Sequence, residues 1–209
     1  MKNYTFSKVI LLFAFISSFN FAQAQKPASN FKLQVGNKLI YTVDQGLERY
    51  NFIMTIKTLA PTVTFDWKMT APVNKNGTII MNKNAMDSAI TMFNYFNGGT
   101  TKLTKQTSAF LSRNLYKQLQ DGSEKIKFSV TENEDEVEEF EKIEKPKTPP
   151  SGSIYFPYSK KVKGKKFLFD CFILENKDGS NGLRVWKNEQ FPLIIYMQTN
   201  FKIYLSEIQ

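Results

Sequence analysis

The chain has 209 residues, with 28 basic and 19 acidic side chains, a net charge of +9, one cysteine and no histidine. Without histidine there is no Ser-His-Asp or Cys-His catalysis, and the commonest transition-metal ligand is missing. A lone Cys171 excludes an intramolecular disulfide, while the positive charge favours solubility and anionic partners without specifying a fold.

Residues 1–24 begin with Lys2 and Lys8, continue through the apolar run Val9 to Ile16, and end in Ala22-Gln23-Ala24. A basic start, a short apolar run and small residues around a cleavage point are the signature of a secretory signal peptide. The expected product starts at Gln25, keeps 26 basic against 19 acidic residues for a net charge of +7, and is periplasmic or secreted. Residues 25–209 are about one domain's worth of chain, large enough for a core of its own.

From Leu39 the apolar positions recur every second residue, the period of a half-buried strand. Leu39, Tyr41 and Val43 share one face; after the turn "DQGLE", Tyr50, Phe52, Met54 and Ile56 share another; Val63, Phe65, Trp67 and Met69 follow on a third strand. Asn76-Gly77 is a hairpin-turn pair leading into a fourth strand, 78–82. The spacing then becomes helical. Met86, Ala89, Ile90 and Phe93 predict a helix over 84–97 capped by Asn84, and Leu111, Leu115 and Leu119 predict a second over 107–121 stopped by Gly122.

Strand alternation returns at Lys125–Thr131, followed by an acidic and then proline-rich segment near 131–150, expected as a charged loop whose start pairs back on the lysine-bearing strand. Its acidic run lacks the loop glycine and ligand spacing of an EF-hand, so no metal site is expected. The last third reads as a meander over 154–158, 166–174, 183–187, 193–199 and 201–205, and its short connections demand antiparallel pairing. Leu193 to Met197 is apolar at every position, so both faces of that strand must be covered.

The expected fold is therefore α+β: a strongly curved, half-barrel-like antiparallel sheet of about eight or nine strands, with two helices packed on its concave face. Phe65, Trp67, Met69, Tyr196 and Tyr204 are candidates to line a concave ligand site, and plain core packing accounts for them equally well. Lys160, Lys161, Lys163, Lys165 and Lys166 are candidates for an anion site at its mouth, or for a solvated hairpin turning at Gly164. Cys171 reads as a small core residue, and Asp170, in an apolar strand, as a buried carboxylate paired with a lysine or Arg184. No S-x-x-K, G-x-S-x-G or glycine-rich phosphate loop is present, so a non-catalytic protein without cofactor is expected.

The ending Pro192-Leu193-Ile194-Ile195, Met197, Phe201-x-Ile203-x-Leu205-x-Glu207-Ile208 resembles that of a group of uncharacterised exported proteins of Gram-negative bacteria, as do "FDWKMT", "NGTIIM" and "SAFLSRNLY". In architecture the chain also resembles the periplasmic lipoprotein-carrier family, whose half-barrel binds acyl chains. That resemblance implies a carrier or sensor of an apolar or lipid-like ligand. The alternative is a structural or protein-interaction component of the cell envelope with a filled core and an envelope protein as partner. Neither reading involves nucleic acid or a transmembrane segment in the mature chain.

Overall fold

The computed structural model describes residues 31–143, 158–162 and 165–209, with only strand pairing described for 158–168. Four strands come first, β1 (Lys38–Asp44), β2 (Arg49–Thr58), β3 (Val63–Met69) and β4 (Asn76–Met81), followed by helix α1 (Lys83–Ser88). Next are β5 (Thr91–Met92), β6 (Gly99–Leu103), β7 (Gln106–Thr107), helix α2 (Arg113–Gln120) and β8 (Lys125–Phe128). A short 3-10 turn at Glu134–Glu136 leads to β9 (Glu138–Lys142), β10 (Tyr158–Val162), β11 (Lys165–Phe169) and β12 (Cys171–Asn176). The chain finishes with β13 (Gly182–Trp186), β14 (Ile194–Gln198) and β15 (Lys202–Ile208).

Thirteen of these strands form one open sheet, in the order β6-β4-β3-β2-β1-β15-β14-β13-β12-β9-β8, with the β10–β11 hairpin attached to β15. The molecule is sheet-dominated with two helices, as its periodicity predicts. The sheet is larger than expected and mixed, because β4 pairs β6 and β10 pairs β15 in parallel.

Both helices are shorter than their apolar spacing predicts, and the short strands β5 and β7 of a separate two-stranded sheet fall at their lost ends. Helix α1 is capped by Asn82, whose side chain accepts from the Ala85 amide at 2.8 Å, and it ends at Ser88. Beyond it, β-branched Ile90 and Thr91 favour extended backbone. Neighbouring segments then capture that backbone: the Ile90 carbonyl accepts from Ser129, the Met92 amide donates to Thr131 and the Phe93 amide donates to Thr107. The second helix likewise starts late, at Arg113, because 107–112 is held in irregular, non-helical backbone. There Leu111 donates to the Pro192 carbonyl, and Ile194 donates to that of Ala109.

Asn76-Gly77 is not a turn. The reversal between β3 and β4 lies just before it, where Val73 and Asn74 both donate to the Thr70 carbonyl. Gly77 is instead a strand residue placed opposite both Trp67 and Gly99. A Cβ there would stand 2.3 Å from the Gly99 carbonyl oxygen and 2.9 Å from the Trp67 ring, so glycine is required for close approach.

The acidic stretch also contributes a strand. β9 pairs β8 with Lys125 opposite Glu141 and Lys127 opposite Glu139, and Lys125 bridges Glu139 at 2.6 Å and Glu141 at 3.0 Å. What reads as a single strand over 166–174 is two, broken at Asp170. That residue is exposed and pairs with Lys187 at 2.9 Å, while Arg184 lies 3.7 Å from Glu175.

Two apolar cores result. One gathers the inward face of β1–β4 with Ala85 and Met86 of α1, and the other gathers Leu115, Tyr116 and Leu119 of α2 with β8, β9 and β12–β14. Phe201 and Ile203 pack against both, which places them at the seam. All five residues from Leu193 to Met197 are buried, so both faces of that strand are covered as expected.

Candidate functional site

At the seam the packing leaves a cavity of about 280 Å³. Its sheet side consists of Tyr41 and Val43 of β1, Tyr50 and Phe52 of β2, and Met69 of β3. These positions adjoin through strand register, since Phe52 lies opposite both Tyr41 and Met69, and Val43 lies opposite both Tyr50 and Ile203. The second core contributes Met92, Ile194 and Met197, and the seam residues Phe201 and Ile203 complete that side. Over the top come Phe93 and Phe96, from the segment that leaves α1, and Ala109 from the irregular segment before α2.

The Phe96 ring is 4.6 Å from Phe52 and 5.1 Å from Trp67, and the Phe93 ring is 5.6 Å from Phe96. Such tilted and edge-on arrangements are those that aromatic quadrupoles favour. Ala109 has φ of 62°, a left-handed conformation unusual for a residue with a Cβ. It is held there by the Ile194 amide on its carbonyl and by the Phe110–Leu193 bridge.

Polar atoms on the wall are few. The buried Tyr41 hydroxyl donates to the Ile194 carbonyl at 3.1 Å, and burial pushes its pKa upward, so the phenol is neutral. Burial also raises Tyr50, with a smaller contribution from the Glu48 carboxylate. Ser108 is fully buried on the wall and its Oγ has no hydrogen-bond partner. Every lining side chain is uncharged. The arrangement has no nucleophile–base pair and is suited to holding an apolar group.

Of the five residues read from sequence as a lining, Met69 alone reaches this cavity. Phe65 is completely buried in the filled part of the first core. Trp67 is 3 % exposed, its Nε1 lacks a partner, and it stands one ring behind the cavity, against Phe52 and Phe96. Tyr196 and Tyr204 lie opposite each other on the other face of the sheet, because their neighbours Met197 and Ile203 face the cavity. Tyr196 donates to Gln198 at 2.6 Å, and Tyr204 accepts from Arg49 at 2.6 Å.

Backbone pairing sets Lys160, Lys161, Lys165 and Lys166 in the β10–β11 hairpin, with Lys161 opposite both Lys166 and Glu207. Lys163 and Gly164 lie outside the described residues. Cys171 is half-buried, donates weakly to the Phe169 carbonyl at 3.5 Å, and burial pushes its thiol pKa up, which makes it a poor nucleophile.

Sequence reasoning misses Phe93, Phe96 and Phe201. Phe93 and Phe96 are assigned to a helix that has already ended, and Phe201 is one more apolar residue in a hairpin. A usable signal is present in Thr91, Asn94 and Asn97-Gly98-Gly99, whose residue types oppose helix. Among the described residues no cluster of three or more cysteine, aspartate or glutamate side chains is positioned to hold a metal ion, and no helix is long and apolar enough to cross a membrane.

No protein-family model, no curated protein and no solved structure matches this chain.

Proposed function

We propose that this chain is an exported, non-catalytic binding protein whose seam cavity takes the apolar part of a lipid-like ligand. The observation that carries the proposal is the cavity itself. It lies between two otherwise well-filled cores, its wall is uncharged, and aromatic and methionine side chains dominate it. Apolar surface left unpacked costs stability, and an apolar ligand that fills it recovers that cost. A volume of about 280 Å³ suits a short alkyl chain or a single ring system.

The export component rests on residues 1–24, and the half-barrel component draws support from the long open run of paired strands. A second reading, an envelope interaction component with a filled core, draws support from the complete burial of Phe65, Met54 and Ile56.

Native mass spectrometry with solvent extraction, on protein purified from its own compartment without detergent, tests the proposal. A bound apolar species near one per chain is expected, and its loss in Ile203→Trp, which fills the cavity, would assign the site. A clean unliganded mass that does not change on incubation with fatty acids, phospholipids or neutral alkyl compounds would overturn the proposal in favour of the second reading.

A further inference from the structure

The apolar cavity has a neighbour of opposite character. Asn94 and Phe201 belong to both walls, and on their far side lies a second recess of about 420 Å³. Hydroxyl and carboxamide groups of Ser129, Thr131, Thr199, Asn181 and Asn200 line this recess, together with the carboxylates of Glu136 and Glu138. It has no basic residue on its wall, although the chain carries a net charge of +9.

Both carboxylates are fixed in place. Glu136 accepts from Thr131 at 2.5 Å and from Asn133 at 3.3 Å, and these bonds hold its carboxyl below the ordinary range, so it stays ionised. Glu138 accepts from the side-chain amides of Asn176 at 2.8 Å and Asn181 at 2.6 Å. At this shared edge the Asn94 amide donates to the Val130 carbonyl at 3.0 Å, and the Phe201 ring gives an apolar surface common to both recesses.

A head group entering this recess meets carboxylate, amide and hydroxyl groups and an aromatic surface. A phosphate or carboxylate head would face Glu136 and Glu138 with no cation on the wall, and like charges placed together across an interface are strongly unfavourable. A neutral head with several hydroxyls satisfies the wall, because each hydroxyl can donate to a carboxylate and accept from an amide or hydroxyl. We infer that the two cavities form one amphipathic site, and that its ligand is an apolar tail carrying a neutral polyhydroxyl head, the chemistry of an alkyl glycoside or glycolipid. The inference rests on the apolar cavity holding a tail, and it reverses the charge preference that the lysine cluster suggests.

The test is isothermal titration of the chain from Gln25 with three eight-carbon probes below their micelle concentrations: octyl β-glucoside, octanoate and octyltrimethylammonium. Octyl β-glucoside is expected to bind about tenfold or more tighter than octanoate. Glu136 is exposed, so Glu136→Lys keeps the fold; it is expected to weaken the glucoside and strengthen octanoate, narrowing or inverting that ratio. Octanoate binding as tightly as the glucoside would overturn the head-group assignment while the tail site stands. Tightest binding of the ammonium probe would also overturn it, in favour of a cationic head. Failure of all three probes, or binding that Ile203→Trp leaves unchanged, would overturn the tail site and this inference together.

Discussion

The inward face of β1, β2 and β3 is one continuous apolar surface with two different ends. At one end Leu39, Met54, Ile56 and Phe65 are completely excluded from solvent, while at the other Val43, Phe52 and Met69 border the cavity. The residue types are similar at both ends, so strand sequence does not create the difference. What differs is the cover. The first core includes Ala85 and Met86 of a regular helix, whereas the cavity end is roofed by Phe93, Phe96 and Ala109 from extended, irregular segments. In this molecule the hollow end of the sheet is the one covered by irregular backbone.

The largest expected effect belongs to the filled end. Phe65→Ala is expected to cost about 3–5 kcal/mol in urea unfolding, because it removes a fully buried ring and leaves a void. Met197→Ala, at the rim of the existing cavity, is expected to cost clearly less; equal losses at the two positions would show that the hollow is not a packing defect in solution. Next in size is Gly77→Ala, at about 1–3 kcal/mol, since the new Cβ must displace either β6 or the Trp67 indole. A shift in tryptophan fluorescence should accompany that loss, and an unchanged spectrum would argue against the close packing of Gly77 on Trp67.

A smaller, opposite effect is expected at the roof. Ala109→Gly relieves a left-handed backbone and should stabilise by up to about 1 kcal/mol, visible as a raised Tm. The smallest effect is acid dependence at the base of the helices. Hydrogen bonds from Lys83 and then Arg113 hold the Asp87 carboxyl below its ordinary value of 3.8. Its contribution is therefore complete above that pH and disappears as the pH falls through the lowered folded-state value. Asp87→Asn should remove no more than about 1 kcal/mol at neutral pH and flatten the acid limb of stability. An unaltered acid limb would place the acid sensitivity elsewhere.

The meander β1–β3 was legible in the sequence because its alternation is strict, with one face buried and the other half-exposed. The doubly buried strand β14 was legible for the converse reason, the absence of any polar position between Leu193 and Met197. Residues 89–112 were not. Apolar spacing in 89–97 and 107–112 fits a helix, and the outcome was decided by distant backbone partners, Thr131 for Met92, 39 residues on, and Pro192 for Leu111, 81 residues on. The cavity depends on those same segments, so a reading that makes them helical places the lining on Trp67 and Tyr196. Polar residues of the recess, such as Asn94 and Glu138, carry no spacing signal, because they converge only through the tertiary fold.

Strand β15 lies in the middle of the sheet, between β1 and β14, and Lys38 and Gln209 exchange backbone hydrogen bonds at 2.9 and 2.8 Å. The joint between the two halves is thus made by segments more than 150 residues apart in sequence. Pairing at such separation is slow, since the closure entropy of a long loop comes before any contact rewards it. Until β15 arrives, β1 and β14 are both naked sheet edges, open to pairing with other chains. For a newly made chain, the interval before β15 docks is when these edges are most exposed to aggregation.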